Sequence, residues 1–198
     1  MIPTGSSLLF YRGRAPVVLA SASPRRVTLL RQVGLAFTIV DPGPDSEWPG
    51  DAEARHGVRA LALEKARRVA ARRRSSVVIG ADTIVVLRGS RLGKPRDPAE
   101  ALAMLMRLQG RTHEVWTGVA VIHRGERRTA AECTQVQFAR LDEKTLRQYV
   151  RTGEPLDKAG AYAIQGLASQ FVRRIVGDYG NVVGLPLPRL RQMLAEFA

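Results

Sequence analysis

Residues 18–26 read VLASASPRR, and this stretch predicts a strand that leads directly into a helix. The apolar run at its start suits a buried strand, and two serines then interrupt the run. Ser23 is a favourable N-cap, and Pro24 suits the first helical position, where a missing N–H costs nothing. Apolar side chains recur at helical spacing from Arg25 to Val33 and stop before Gly34. The pattern therefore predicts a β–α unit near the start of the chain.

The first turn of this predicted helix contains two arginines, Arg25 and Arg26. Cations are unfavourable there, because the helix dipole presents its positive end at the N-terminus. Helix-start amides and guanidinium groups together can bind a phosphate. We therefore predict an anion site formed by Ser21, Arg25 and Arg26. Two solvated surface arginines are the alternative.

Length and composition predict one globular domain. The 198 residues include 45% hydrophobic and 25% charged residues, which is ordinary for a globular protein with one sizeable core. No apolar run approaches the roughly 20 residues that span a bilayer, so no membrane partner is expected. We expect residues 1–15 to be a loose N-terminal extension, too short in its apolar part for a signal peptide, and residues 16–198 to be a single domain. The lone cysteine, Cys133, fits a reducing cytoplasm and is expected to pack rather than to act as a nucleophile.

The net charge of +13 comes mainly from arginine. Such a field attracts nucleotides or nucleic acid. The densest run combines Arg67 and Arg68 with residues 72–74, at the end of a predicted helix, where cations also suit the dipole. No zinc-ligand spacing, RNP-like motif or DNA-reading module accompanies the charge, so nucleic acid is not expected as the partner.

Strand and helix signals alternate along the chain, which predicts an α/β domain. Strands are predicted at 36–40, 77–79 with 83–87, 113–123, 128–138 and 171–176. Helices are predicted at 52–74, 98–108, 142–151 and 187–197. A turn at 124–126 joins two strands into an antiparallel hairpin, so we expect a mixed sheet. Residues 41–51 are rich in proline, glycine and aspartate and predict a loop.

Two charged residues stand in settings that favour chemistry. Asp82 lies in the sequence GADT between two apolar runs, where an unpaired buried carboxylate is costly. A metal ligand or a general base explains it, and a helix or turn cap is the alternative. Lys94 lies between Gly93 and Pro95, a constrained turn that can present its ammonium to a phosphate. A solvated loop lysine is the alternative.

Three further side chains are candidates with open alternatives. Lys65, in ALEKA, either passes the core to reach solvent or points into a site. Glu47, in PDSE, is either a metal ligand or a solvated loop residue. Gln165 follows small residues that permit close backbone approach, and its amide can both donate to and accept from a nucleobase. Tight packing alone is the alternative. The P-loop, dinucleotide-binding, nucleophile-elbow and zinc-protease motifs are absent. The histidines are expected to be structural or exposed: His56, His113 and His123.

Six motifs in chain order resemble the Maf family of nucleoside triphosphate pyrophosphatases: SASPRR, ALEKA, GADT, LGKPRD, GRTHEVWTGV and LDKAGAYAIQG. The resemblance extends from about Val17 to the C-terminus. It implies an α/β fold with a mixed, curved sheet flanked by helices and a cleft between two lobes, as in ITPase-like (Maf/Ham1) enzymes. It also implies hydrolysis of a nucleoside triphosphate between the α- and β-phosphates, with a divalent metal cation, Mg²⁺ or Mn²⁺. A homodimer is a further expectation from the family.

The resemblance also implies roles for individual residues. Ser21, Arg25 and Arg26 would hold the triphosphate, and Lys65 and Lys94 would neutralise the leaving pyrophosphate. Asp82 would orient or deprotonate the attacking water, and Asp82 and Glu47 would hold the metal. Thr83 and Gln165 are typical of the branch that acts on dTTP and UTP, and base preference is expected to depend on Arg25, Thr83 and Gln165.

Two other functions stay open on the sequence alone. One is a Maf-type pyrophosphatase of other base specificity, such as one for 7-methyl-GTP. The other is a basic nucleic-acid-binding or septum-regulating protein without catalysis, which the net charge of +13 would suit.

Overall fold

The structure is a computed structural model and describes residues 10–198. Its strands are β1 (Val17–Ala20), β2 (Thr38–Ile39), β3 (Val77–Leu87), β4 (Ser90–Leu92), β5 (Thr112–His123), β6 (Glu126–Phe138) and β7 (Val172–Val176). Its α-helices are α1 (Pro24–Gln32), α2 (Ala54–Ala70), α3 (Pro98–Leu108), α4 (Glu143–Arg151), α5 (Tyr179–Val183) and α6 (Leu187–Ala195). Three 3₁₀ turns lie between α4 and β7: Glu154–Asp157, Ala159–Ala161 and Leu167–Phe171.

The strands form one seven-stranded sheet in the order β2-β1-β3-β5-β6-β7, with β4 paired to β3. Strand β1 runs parallel to β2 and β3, whereas β4 is antiparallel to β3 and β7 to β6. The predicted mixed sheet is therefore confirmed. Every residue of β1 is buried, which explains why this strand is an unbroken apolar run rather than an alternating one.

The described chain divides into two compact units. The first comprises residues 10–82, 117–132 and 184–198, and the second comprises residues 83–116 and 133–183. In the first unit, helix α2 packs its apolar side onto β1, β3 and β5. The centre of this core consists of Val18, Ala20, Ala62, Ala66, Val69, Val78, Ala120 and Ile122.

Several predicted boundaries are confirmed by capping contacts. The Asp97 Oδ1 atom accepts a hydrogen bond from the Glu100 amide at the start of α3, and Asp142 does the same for Thr145 at the start of α4. The two predicted pieces at 77–79 and 83–87 form one continuous strand, β3. Strands β5 and β6 are neighbours joined by Arg124 and Gly125, both at positive φ, as a two-residue hairpin turn requires.

The structure differs from the predicted elements in several places. Helix α2 is shorter than the predicted 52–74, and β2 is shorter than 36–40. Strand β4 and helix α5 were not expected. Strand β4 has three residues and α5 has five, so neither is long enough to produce a recognisable hydrophobic period.

The predicted loose extension lies only partly within the described residues. Residues 1–9 lie outside them. Phe10 and Tyr11 are buried, and the Tyr11 hydroxyl donates to the Phe197 carbonyl over 3.4 Å. These two residues are therefore packed in the first unit rather than loose.

Candidate active site

The predicted anion site lies at the connection between β1 and α1. Ser23 occupies the N-cap position, but its side chain makes no capping hydrogen bond, contrary to the expectation from sequence. Ser21 Oγ instead accepts from the Ser23 amide over 3.2 Å, a hydrogen bond within the loop that precedes the helix. The same Oγ accepts from Arg26 Nη1 over 3.1 Å, so a buried hydroxyl links the loop to the helix.

Arg26 is buried in this site, and two of its nitrogens bind protein oxygens. Its Nε donates to the Gly184 carbonyl over 2.8 Å, in addition to the contact with Ser21. Burial lowers the pKa of the Arg26 guanidinium, while the carboxylates of Asp82 and Asp45 act in the opposite direction and favour its charged form. Arg25, which is half-buried, lowers the pKa of Arg26 further. A concentration of positive charge therefore lies beside two carboxylates.

Lys65 points into this site rather than out to solvent. Its side chain is buried, and its Nζ lies 2.7 Å from Asp82 Oδ1 and 2.7 Å from Asp45 Oδ1. Asp82 is itself mostly buried, whereas Asp45 is exposed over 57% of its side chain. The structure thus brings together one buried ammonium and two carboxylates, which we call the Lys65 cluster.

Gly80 explains why Lys65 reaches Asp82. A Cβ atom at Gly80 would lie 2.3 Å from the Ala62 carbonyl oxygen, so only glycine lets α2 pack this closely on β3. Residues two apart in a strand point to the same face, so Asp82 faces α2 as Gly80 does. Lys65 directly precedes Ala66, which contacts Gly80, so the Lys65 side chain reaches Asp82 on this face of β3.

The Asp45 carboxylate is positioned by Arg68, a residue that the sequence placed only in a basic run at the end of a helix. Arg68 Nη1 donates to the Pro44 carbonyl over 2.7 Å, and Nη2 donates to Ser46 Oγ over 2.6 Å. The guanidinium also contacts Glu64, whose pKa is lowered by Ser46 and by Arg68. Because Pro44 and Ser46 flank Asp45, these contacts fix the loop at the residue that reaches Lys65.

Asp45 was missed by the sequence analysis, which selected Glu47 from the same loop. Glu47 is exposed, and no contact links it to Lys65 or Asp82. Within residues 10–198 no three acidic, histidine or cysteine side chains are grouped as a metal cage. Magnesium is commonly bound by one or two carboxylates together with substrate phosphates, and Asp82 and Asp45 are a donor pair of that kind. The residues present therefore fit a substrate-associated divalent cation.

In the second unit, two predicted motifs contact each other. The Gly160 amide donates to the Gly93 carbonyl over 3.0 Å, so the AGA turn is attached to the turn that holds Lys94. Gly160 has φ +69 and lies against Val85, a position with no room for a side chain. Thr83 is half-buried on β3, and Lys94 is exposed.

Gln165 is exposed on a loop of the second unit that Glu154 anchors. The Glu154 carboxylate accepts from the Tyr149 hydroxyl over 2.9 Å and from the Leu167 amide over 3.0 Å. A Cβ atom at Gly166 would lie 2.4 Å from Glu154 Oε1, so a side chain there would displace the Glu154 carboxylate.

The histidines take no part in the Lys65 cluster. His113 is buried, and its Nε2 lies 2.8 Å from the Tyr162 hydroxyl. Burial lowers the pKa of His113 to about 4. His56 is exposed, and His123 contacts the Ser76 carbonyl. The expectation of structural or exposed histidines is confirmed. The helices within residues 10–198 include none that is long and apolar enough to cross a membrane.

Curated relatives share about half of their residues with this chain. A protein of Pelotomaculum thermopropionicum, named dTTP/UTP pyrophosphatase, is 51% identical over 183 residues, which cover 91% of this chain and 96% of the relative. A protein of the same name from Symbiobacterium thermophilum is 52% identical over 181 residues, covering 91% and 93% respectively. A third, from Dictyoglomus turgidum, is 44% identical over 189 residues, covering 93% and 97%.

A solved structure, that of the Staphylococcus aureus Ham1 protein, has a similar fold. The TM-score is 0.53 at 15% identity, covering 92% of this chain and 100% of that chain, so the likeness concerns the fold alone. It confirms the predicted Ham1-like α/β fold. The family model of Maf-like proteins matches residues 16–197. The match spans both compact units and all six motifs. The chain therefore belongs to the Maf-like protein family.

Proposed function

We propose that this chain is a nucleoside triphosphate pyrophosphatase that hydrolyses dTTP and UTP to the monophosphate and pyrophosphate. The observation that carries the proposal is the Lys65 cluster, in which a buried ammonium holds Asp82 beside the buried guanidinium of Arg26. Relatives that are 51% and 52% identical over most of their length are named dTTP/UTP pyrophosphatase, which supports this choice of substrate.

Asp82 acts as the general base in this proposal. Lys65 contacts Oδ1, and among the described residues Oδ2 has no hydrogen-bond partner, so Oδ2 is the oxygen that takes the proton. Water forms a new bond to the α-phosphorus as the bond from that phosphorus to the bridging oxygen breaks. The electron pair leaves with pyrophosphate, and the water proton passes to Asp82. Such general base catalysis contributes about 100- to 10,000-fold in rate.

The arginines and Lys65 counter the charge of the triphosphate. Arg26 already binds Gly184 and Ser21, so we assign it to shaping the anion site and supplying charge from a fixed position. Arg25 is half-buried at the helix start and is our candidate for direct phosphate contact. Fixed positive groups in a partly buried site stabilise developing negative charge without reorganising.

We assign Asp82 and Asp45 as the carboxylates that would hold a divalent cation, Mg²⁺ or Mn²⁺. When bound, such a cation neutralises phosphate charge and orients phosphate oxygens. Glu47 stays a prediction from the resemblance, and the contact of Asp45 with Lys65 favours Asp45 in its place. Thr83, Lys94 and Gln165 keep their predicted roles in base and phosphate recognition, and a cytoplasmic location and a homodimer also stay predictions.

A panel of nucleotides tests the proposal directly. The purified chain is incubated with dTTP, UTP, GTP and 7-methyl-GTP in Mg²⁺ or Mn²⁺, and pyrophosphate and orthophosphate are measured separately. We expect pyrophosphate from dTTP and UTP at the highest kcat/KM. Release of orthophosphate alone would contradict cleavage between the α- and β-phosphates. Preference for 7-methyl-GTP would instead support the alternative base specificity, and no hydrolysis of any nucleotide would favour a binding role.

A further inference from the structure

A basic cavity lies in the first unit, away from the Lys65 cluster. Its volume is about 480 Å³, and we call it the arginine pocket; its lining includes Arg73, Arg74, Ser76, Ile122, His123 and Arg124. Ser76 immediately precedes β3, and Asp82 lies six residues further along that strand. At about 3.3 Å per residue the two positions are roughly 20 Å apart. The arginine pocket is therefore separate from the proposed active site.

Arginines concentrate positive charge at the arginine pocket. Three arginines are among its lining residues, and none of those residues is acidic. Among the described residues, the ion pairs of the first unit do not include Arg73, Arg74 or Arg124. Residues 1–9 contain no aspartate or glutamate, so they supply no acidic side chain either. A bound anion would relieve the mutual repulsion of these groups.

The walls of the pocket are built from fixed elements. His123 Nδ1 lies 3.1 Å from the Ser76 carbonyl, which only accepts, so Nδ1 carries the hydrogen and Nε2 is left for other partners. The ring is also held edge-on by Phe197, at 6.4 Å between centroids. Arg124 has φ +49 in the hairpin turn, a conformation that costs a non-glycine residue about 1 kcal/mol or more. The turn nevertheless presents an arginine to the cavity.

We propose that the arginine pocket binds a polyphosphate anion, either inorganic pyrophosphate or the triphosphate of a nucleotide. A guanidinium group can donate two parallel hydrogen bonds to the oxygens of one phosphate group. Three arginines therefore suit a ligand with more than one phosphate group. The volume lies in the range of small-molecule sites, which suits a compact ligand. The buried side chain of Ile122 adds an apolar surface. The inference does not rest on the proposed function, because binding requires no hydrolysis.

Calorimetric titration of the full chain tests the proposal, with pyrophosphate and α,β-methylene-dTTP as separate ligands. The test variant is Arg74→Gln with Arg124→Gln. The matched control is Arg31→Gln with Arg107→Gln, which removes the same charge from exposed positions outside the pocket. We expect the test variant to lose one binding site, or to bind the ligand there with an affinity reduced at least about tenfold, because charge-assisted hydrogen bonds are lost. The control should bind as the unmodified chain does.

Titrating the two ligands separately distinguishes inorganic pyrophosphate from a nucleoside triphosphate as the bound anion. If the test variant loses this binding site for both ligands, the pocket recognises the polyphosphate group itself. If it loses the site for one ligand only, that ligand is the occupant. NMR signals of the His123 ring should shift when the pocket fills and should not shift in the test variant. Equal weakening in the test and control variants would overturn the proposal. It would also be overturned if only binding of an oligodeoxynucleotide were lost, since that outcome describes a nucleic-acid interface.

Discussion

Replacing Asp82 with asparagine should remove most nucleotide hydrolysis while the chain stays folded. The two side chains have nearly the same shape, so the substitution opens no cavity at a position that is only 13% exposed. What is lost is one negative charge, the proton acceptor for the attacking water and one of the two carboxylates proposed to hold the divalent cation. Loss of a general base lowers kcat by about 100- to 10,000-fold. KM should change much less, since the arginines that counter the triphosphate are unaffected.

The cost in stability should be small because Lys65 keeps a partner. Leaving a buried charge without any partner costs about 3–5 kcal/mol. In this site Asp45 Oδ1 also lies 2.7 Å from Lys65 Nζ, and the introduced amide oxygen can still accept a hydrogen bond. We therefore expect a loss of about 1–2 kcal/mol in the free energy of unfolding. For a chain of 198 residues this lowers Tm by about 2–8 °C.

The assay is pyrophosphate release from dTTP, measured in parallel with circular dichroism and thermal unfolding. Asp82→Asn with more than about a tenth of the normal kcat would exclude Asp82 as the base, since a general base typically contributes about 100-fold or more. A large drop in Tm together with the loss of activity would also refute the reasoning. In that case Asp82 would be a structural partner of Lys65 and its chemistry would be unproven.

Three further predictions concern Asp45, Gly80 and His113. Asp45→Asn should lower kcat by about tenfold or more and raise the metal concentration needed for activity. Glu47→Gln should change both quantities little. A larger effect of Glu47→Gln than of Asp45→Asn would indicate that Glu47 is the metal ligand. Gly80→Ala should lower the free energy of unfolding by about 1–3 kcal/mol, because the new Cβ meets the Ala62 carbonyl. Gly93→Ala is its control, since nothing lies within 4 Å there, and equal losses of Tm would contradict the packing argument. Finally, burial lowers the pKa of His113 from 6.5 to about 4, so stability should fall as the pH drops from 6.5 towards 4, by up to about 3 kcal/mol. Denaturant unfolding at several pH values should show this slope flattened in His113→Gln and unchanged in His56→Asn; an unchanged slope in His113→Gln would rule out His113 as its source.

Local rules predicted most of the elements in the fold. Asp97 and Asp142 cap their helices as expected because the capping contact involves residues only three apart. The hairpin between β5 and β6 depends on a two-residue turn, which is equally local. Ser23 is the exception: it occupies the N-cap position without a side-chain capping bond, and the serine whose side chain contacts the helix is Ser21, which accepts from the buried Arg26 guanidinium.

The candidate site was predicted less completely than the fold. Asp82 and Lys65 were both identified, yet their mutual contact was not, because it joins residues seventeen apart through a helix–strand contact at Gly80. The acidic loop was recognised as a possible metal-binding segment, but the residue selected was Glu47. No local signal distinguishes Asp45 from Glu47, since the distinction depends on how Arg68 holds the loop.

Residue types and spacing alone were sufficient to identify the family, the α/β class and most residues with a candidate role. These depend on short motifs, helix caps and hydrophobic periods, each of which acts within a few residues along the chain. Tertiary packing decided which charges meet: it turned Lys65 towards Asp82, buried Arg26 against Gly184, and brought Asp45 rather than Glu47 to the site. Electrostatic interactions depend on distance through space, and that distance exists only once α2 lies on β3.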